Sequence, residues 1–146
     1  MLSIAFSSNR ISIEMKRSDL TNKISFSKKL DLQLMNKAAN LLLAIEDFKA
    51  FAKAGHQSKT TLCNVEHAQW EEIGGQLVFT IQADRFLRNM VRAIVGTFLE
   101  IGFNKKTLQD LEDIIKSKDR GRAGFSAPPQ GLFLSEISYP SKLYID

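Results

Sequence analysis

A chain of 146 residues, 44% apolar and 25% charged, has the size and composition of one globular domain around one core, and is too apolar for a disordered segment. Its longest uncharged apolar run, Leu41 to Ile45, falls far short of the roughly 20 residues a bilayer demands. No basic segment followed by an apolar block opens the chain, so a cytoplasmic protein with no membrane partner is expected. The single cysteine, Cys63, excludes an internal disulfide and fits a reducing compartment.

Residues 85 to 122 hold nine Lys/Arg and five Asp/Glu, while the remainder holds eleven of each. The whole net charge of +4 therefore sits in that stretch, and a localised basic surface that attracts phosphate is implied.

The first 29 residues are polar and Ser-rich, with little apolar periodicity beyond Ile11, Ile13 and Met15. They read as a poorly structured lead-in to a domain spanning 30–146. From Asp31 to Ile45, Leu34, Ala38, Leu41, Leu42 and Ile45 recur at helical spacing without Gly or Pro, which predicts an amphipathic helix. Asp47 is placed to cap a short helix running to Phe51. Thr60 to Ile73 is β-like, Gly74-Gly75 is a turn signal, and Leu77, Phe79, Ile81 and Ala83 alternate along Gln76 to Ala83, so a β-hairpin is predicted.

Helical periodicity returns from Phe86 to Ile101 and stops at Gly102, a residue suited to the left-handed conformation just past a helix end. Thr107 with Asp110 reads as a variant capping box opening a helix with Leu108, Leu111, Ile114 and Ile115 on its buried stripe. Lys118 to Gln130 is a loop, and GLFLSEISYP is a last strand ending at Pro140. The order argues for an α+β fold, an antiparallel sheet with helices packed on one face.

On a wheel of about 100° per residue, Phe86, Leu87, Met90, Val91, Ile94, Phe98 and Ile101 fall on one side and Arg85, Arg88 and Arg92 on the other, with Gly96 near Arg92. Arginine forks pair in bidentate fashion with carboxylate or phosphate, and Gly96 lets another backbone come close. On the pattern alone a solvated basic face is the more ordinary reading.

The runs ADRFLRNMVRAIVGTFLEIG and KDRGRAGFSAPPQGLFLSEISYP, preceded by EDFKAFAK and KTTLCNV, resemble in order and spacing the C-terminal half of the bacterial tRNA pseudouridine synthase A family. The likeness runs from about Leu30 to the end. It implies a pseudouridine-synthase-like half and an isomerase that converts uridine to pseudouridine in the anticodon stem-loop of tRNA, without metal or organic cofactor. In that chemistry an aspartate attacks the nucleoside, and the base detaches, turns and rejoins the ribose through carbon. The uridine must leave its stack, at about a few kcal/mol per flipped base.

By position, Arg92 of the MVR triplet resembles the arginine that pairs with the nucleophilic aspartate. Leu132 of GLFL resembles the apolar residue beside the flipped base, with Gly96 counted in the same pocket. Arg85, Arg88, Lys118, Arg120 and Arg122 are the candidates for tRNA backbone contact, and the family's homodimers imply a homodimer here. The family's R-T-D-x-G-V-H-A motif and its catalytic tyrosine are absent from this sequence. Arg17-Ser18-Asp19 mimics three letters of the motif but continues as Leu20-Thr21-Asn22 and lies too near the arginine helix, so Asp19 is rejected as the nucleophile. The expectation is a truncated domain that is inactive alone.

Two further groupings carry less chemistry. His56, Cys63 and His67 match no strong zinc signature, so no metal is expected and Cys63 reads as a small buried apolar residue. Trp70 and Phe79 read as cross-strand core contacts rather than a base-stacking platform. A non-catalytic basic RNA-binding or dimerisation module is the alternative function. What faces Arg92 discriminates the two: a pocket with an apolar floor near Leu132 favours the enzyme half, a flat basic surface the module.

Overall fold

The computed structural model describes residues 10–17, 30–53, 60–73, 76–128 and 132–138. They form a four-stranded antiparallel sheet in the order β2-β3-β1-β4, with β1 Arg10–Arg17, β2 Val65–Ile73, β3 Gln76–Ala83 and β4 Leu132–Ser138. Three α-helices accompany it: α1 Leu32–Leu41, α2 Met90–Gly102 and α3 Leu108–Ser117. The expected α+β architecture is present, and the predicted hairpin is β2 and β3.

The expectation of a poorly structured lead-in is corrected over Arg10–Arg17. That segment is a strand lying between β3 and β4, with Ile11 opposite Ala83, Ile13 opposite Ile81 and Met15 opposite Phe79. On its other side Ile13 faces Leu134 and Met15 faces Leu132. The period-two set Ile11, Ile13, Met15 was therefore a strand signal, too short to stand out without the partners that lie more than sixty residues away. Residues 1–9 and 18–29 lie outside the described set.

Leu77, Phe79, Ile81 and Ala83 of β3 are buried and join one core with Met35, Ala38 and Ala39 of α1 and most of α2. Phe79 is the hinge of this packing: Trp70 lies 4.7 Å from it across the hairpin, and Phe98 of α2 meets it edge-on at 6.0 Å. The cross-strand core reading of Trp70 and Phe79 thus holds, since both are buried and paired directly in register. Edge strand β2 is covered by α1, whose Asn36 donates to the Trp70 carbonyl at 3.1 Å and accepts from the Trp70 N–H at 2.7 Å. One amide side chain thereby satisfies both backbone groups of an edge residue, which otherwise would offer a pairing template.

Helix ends follow local chemistry. Asp31 caps α1 by accepting from the Leu34 N–H at 3.0 Å, and Thr107 with Asp110 forms the reciprocal capping box of α3. The predicted 31–45 helix is α1 followed by a 3-10 turn over Leu42–Ala44, and Asp47 supports a 3-10 turn Lys49–Phe51 by accepting from the Lys49 N–H. Regular pairing in the predicted Thr60–Ile73 strand begins only at Val65; before it Leu62 makes an isolated bridge to Asp47.

Two expectations about α2 fail for a steric reason. The helix starts at Met90, because Asn89 has φ 69° and ψ 2°, a left-handed conformation that cannot continue a right-handed helix and that asparagine tolerates well. Gly102 is the last helical residue, and the left-handed residue beyond it is Asn104. Gly102 serves close packing instead: a Cβ there would lie 2.5 Å from Met35 Sδ and 2.8 Å from Leu30 Cδ2.

Candidate functional site

Asn89 ends a tight turn from Phe86 in which the Met90 N–H donates to the Leu87 carbonyl at 3.0 Å, and Lys53 closes on it by donating its N–H to the Arg88 carbonyl at 3.0 Å. This turn, the first turn of α2 and Ser126 enclose a cleft of about 400 Å³ lined by Lys53, Phe86, Leu87, Arg88, Asn89, Met90, Val91, Arg92 and Ser126. Three of these side chains are cationic, four are apolar and none is a carboxylate. Such a lining receives an anionic or carbonyl-rich group, and of its apolar members only Phe86 is not buried and can offer a wall to a flat ring.

Arg92 is half-buried at this cleft. Its Nε donates to the Ala127 carbonyl at 2.7 Å while the Ala127 N–H donates to the Arg92 carbonyl at 2.9 Å. The two residues are thus clipped together through side chain and backbone. The Nε bond fixes the plane of the guanidinium and leaves the two terminal Nη groups without an acceptor among the described residues. A carboxylate or phosphate approaching end-on meets both at once.

Ser126 is set as firmly. Its hydroxyl oxygen accepts from Asn89 Nδ2 at 2.7 Å and from Arg120 Nη2 at 2.8 Å. With both lone pairs used, the hydroxyl proton is left as a donor, and it has no acceptor among the described residues. Arg120 also donates from Nη1 to the Gly124 carbonyl at 2.9 Å, and the Gly124 N–H donates to Thr97 Oγ1 at 2.9 Å. Thr97, buried in α2, in turn donates to the Ala93 carbonyl at 2.8 Å.

Gly96 makes this seat possible. A Cβ there would lie 1.6 Å from the Phe125 carbonyl oxygen, so the backbone of the 124–127 segment rests directly on the helix. The close approach expected of Gly96 is realised; the residue is buried beneath Phe125 and is not among those that line this cleft. Leu132 enters β4 with its backbone paired to Met15, and its side chain lies outside the described set.

The stripe of Arg85, Arg88 and Arg92 is not realised, because only Arg92 lies in the helix. Arg85 Nη1 donates to the carbonyls of Thr60 and Leu62 at 3.1 and 3.2 Å, fastening the strand entry to the turn. Arg88 is exposed and lines the cleft. Arg120 is committed to Gly124 and Ser126. Lys118 ends α3 in a left-handed conformation and pairs with Asp47 at 3.3 Å, and Arg122 is exposed.

Lys53, Asn89 and Ser126 were not singled out by sequence reasoning, although each stands inside or beside a quoted block; their convergence depends on a turn the helical wheel does not contain. Cys63 is buried with its Sγ 3.9 Å from Met90 Sδ, and burial raises its thiol pKa to about 11, so it is held as an inert thiol. His67 is exposed on β2, and His56 and Asp19 lie outside the described residues. No helix among the described residues is long and apolar enough to cross a membrane.

Comparison with known proteins gives this cleft a context. The chain is 49% identical over 120 residues to the tRNA pseudouridine synthase A of Porphyromonas gingivalis, covering 81% of this chain and 48% of that protein. With the tRNA pseudouridine synthase A of Parabacteroides distasonis it shares 47% over 116 residues, 80% of this chain and 46% of that protein. The protein of the same name from Syntrophomonas wolfei is 44% identical over 111 residues, 76% of this chain and 45% of that protein. The chain thus spans about half the length of these relatives. The sequence profile described as tRNA pseudouridine synthase matches residues 38–140, a stretch containing every residue that lines the cleft, and the chain belongs to the tRNA pseudouridine synthase family.

Proposed function

We propose that this chain supplies the arginine side of a pocket that isomerises uridine to pseudouridine in the anticodon stem-loop of tRNA. In this reading residues 30–146 correspond to the C-terminal half of such an enzyme, and Arg10–Arg17 adds a strand to that half. The single observation that carries it is the state of Arg92: among the described residues its Nε is locked on Ala127, its two terminal Nη groups have no acceptor, and the cleft it lines has no carboxylate. A carboxylate brought there by an aspartate-bearing segment is kept ionised by the adjacent cation and oriented by a two-pronged contact. Phe86, the apolar residue of the lining that is only partly buried, gives the detached uracil an apolar wall against which to turn, and the Ser126 hydroxyl gives its carbonyl oxygens a donor. No metal or organic cofactor enters the chemistry. The walled cleft counts against a non-catalytic module with a flat basic surface.

The tRNA backbone is assigned to the exposed cations Arg88 and Arg122, with Lys53 added beside the cleft, while Lys118 is engaged by Asp47 at 3.3 Å. Arg85 and Arg120, proposed from sequence for the same task, are better employed in holding the 60–62 and 124–126 segments. A cytoplasmic homodimer fits this activity.

The test is to incubate the purified chain with unmodified tRNA, alone and together with the aspartate-bearing half of a relative, and to assay pseudouridine. The chain alone is expected to form no product and the reconstituted pair to form it. Product from the chain alone that depends on Asp19 would overturn the assignment. RNA binding should fall by about 0.7 to 0.9 log units per log unit of salt for each phosphate contact, and a flat dependence would remove those cations from the interface.

A further inference from the structure

Phe125 stands apart from the other exposed apolar side chains. Leu43, Leu62 and Ile73 are comparably exposed but adjoin no cleft-lining residue, whereas Phe125 is 50% exposed and immediately precedes Ser126. The segment around it is held on every side except its own. Gly124 is bound by Thr97 and Arg120, Ser126 by Asn89 and Arg120, and Ala127 twice by Arg92. The Phe125 carbonyl rests on Gly96, and its Cγ lies only 3.4 Å from where a Gly96 Cβ would stand, so the root of the side chain is seated over the position the glycine leaves empty. The root of the ring is therefore fixed while half of its surface is left to solvent.

A base that leaves its stack to enter the cleft exposes the faces of the neighbours it abandons. An aromatic ring at the rim restores one such face, and a ring whose backbone is already immobilised loses little freedom in doing so. We infer that Phe125 is a stacking platform for an unpaired tRNA base adjoining the target uridine, positioned by the Arg120 and Asn89 bonds to its neighbours and by the Gly96 seat. This rests on the proposed tRNA-acting function and adds to it a contact with a base other than the target. The ring gives binding energy with no preference among bases, because every base has a π-face.

The experiment titrates a fluorophore-labelled anticodon stem-loop RNA with the full chain and with its F125A, F125L and F125W variants. F125A and F125L are expected to bind about tenfold more weakly. F125W is expected to bind as the parent does and to lose indole emission as RNA is added, against the constant background of buried Trp70. The leucine variant keeps apolar bulk and controls for folding. Parent-like affinity of F125L, or unquenched emission of F125W, would overturn the inference while leaving the tRNA reading in place. A loss of self-association in F125A and F125L with unchanged RNA affinity would overturn it too, reassigning the ring to a subunit contact. Failure of the parent chain to bind the RNA at low salt would refute the tRNA reading itself, and the platform with it.

Discussion

At the residue scale the site depends on two positions for opposite reasons, one for what its side chain carries and one for having none. Arg92 contributes a fork whose inner nitrogen is anchored and whose outer pair is presented, a geometry that a lysine point charge does not reproduce. Replacing the equivalent arginine of a full-length relative by lysine should lower the isomerisation rate by about 100-fold or more with tRNA binding little changed; single-turnover assay with parallel binding titration checks this, and unchanged activity removes the arginine from the mechanism. Gly96 contributes an absence. Gly96→Ala drives a methyl into the Phe125 carbonyl, and since both contacting groups are backbone the 124–127 segment must lift. Destabilisation of more than about 2 kcal/mol is expected, a fall in Tm on the order of 5 °C for a chain of this size, read by thermal unfolding. Both residues could be picked from the sequence, and so could the possibility that Gly96 admits another backbone. That the backbone is Phe125's could not be read, because the two are brought together only when the loop after α3 folds back over α2.

At the element scale, capping chemistry was the most legible part of the fold. Asp31, Thr107 and Asp110 act through residues three positions away, and such local bonds are written in the order of the residues themselves. The start of α2 was misread because a helical wheel presumes helical backbone, and the apolar residues Phe86 and Leu87 keep the right spacing across a turn that is not helical. Asp47 shows how a local cap acquires a long-range duty. It supports the Lys49 turn and also binds Thr61 Oγ1 at 2.6 Å and Lys118 at 3.3 Å, joining the chain before β2 to the end of α3. Its partial burial would raise the carboxyl pKa, but the hydrogen bonds from Thr61, Lys49 and Lys118 and the charge of Lys118 outweigh this and hold it below the ordinary 3.8. With the folded value below the unfolded one, the stabilisation is complete above the unfolded pKa and is lost as pH falls through the folded value. The difference in urea midpoint between the parent and D47N should therefore be present at neutral pH and close as the pH is brought below about 4. A difference that persists in acid would show that the carboxylate charge is not what holds this junction.

At the scale of the whole molecule, the sheet is assembled from pieces far apart in the chain. In the order β2-β3-β1-β4, β4 reaches the hairpin only through Arg10–Arg17, a strand that lies outside the family match to 38–140. Deleting residues 1–17 should leave β4 without its partner and β3 with an open edge, so the shortened chain is expected to unfold non-cooperatively or to aggregate through that edge. Circular dichroism melts and sedimentation measure this, and a cooperative monomeric truncate would refute it. The amino-acid order on its own determined the fold class, the hairpin, the helix caps and the family, because each of these is carried by neighbouring residues or by contiguous blocks. The central place of β1, the commitment of Arg85 and Arg120 to backbone carbonyls, and the meeting of Lys53, Asn89, Arg92 and Ser126 around one cleft were decided by tertiary structure. Those features join segments separated by tens of residues, and the partners of a hydrogen-bonding group are settled only when the chain has closed around it.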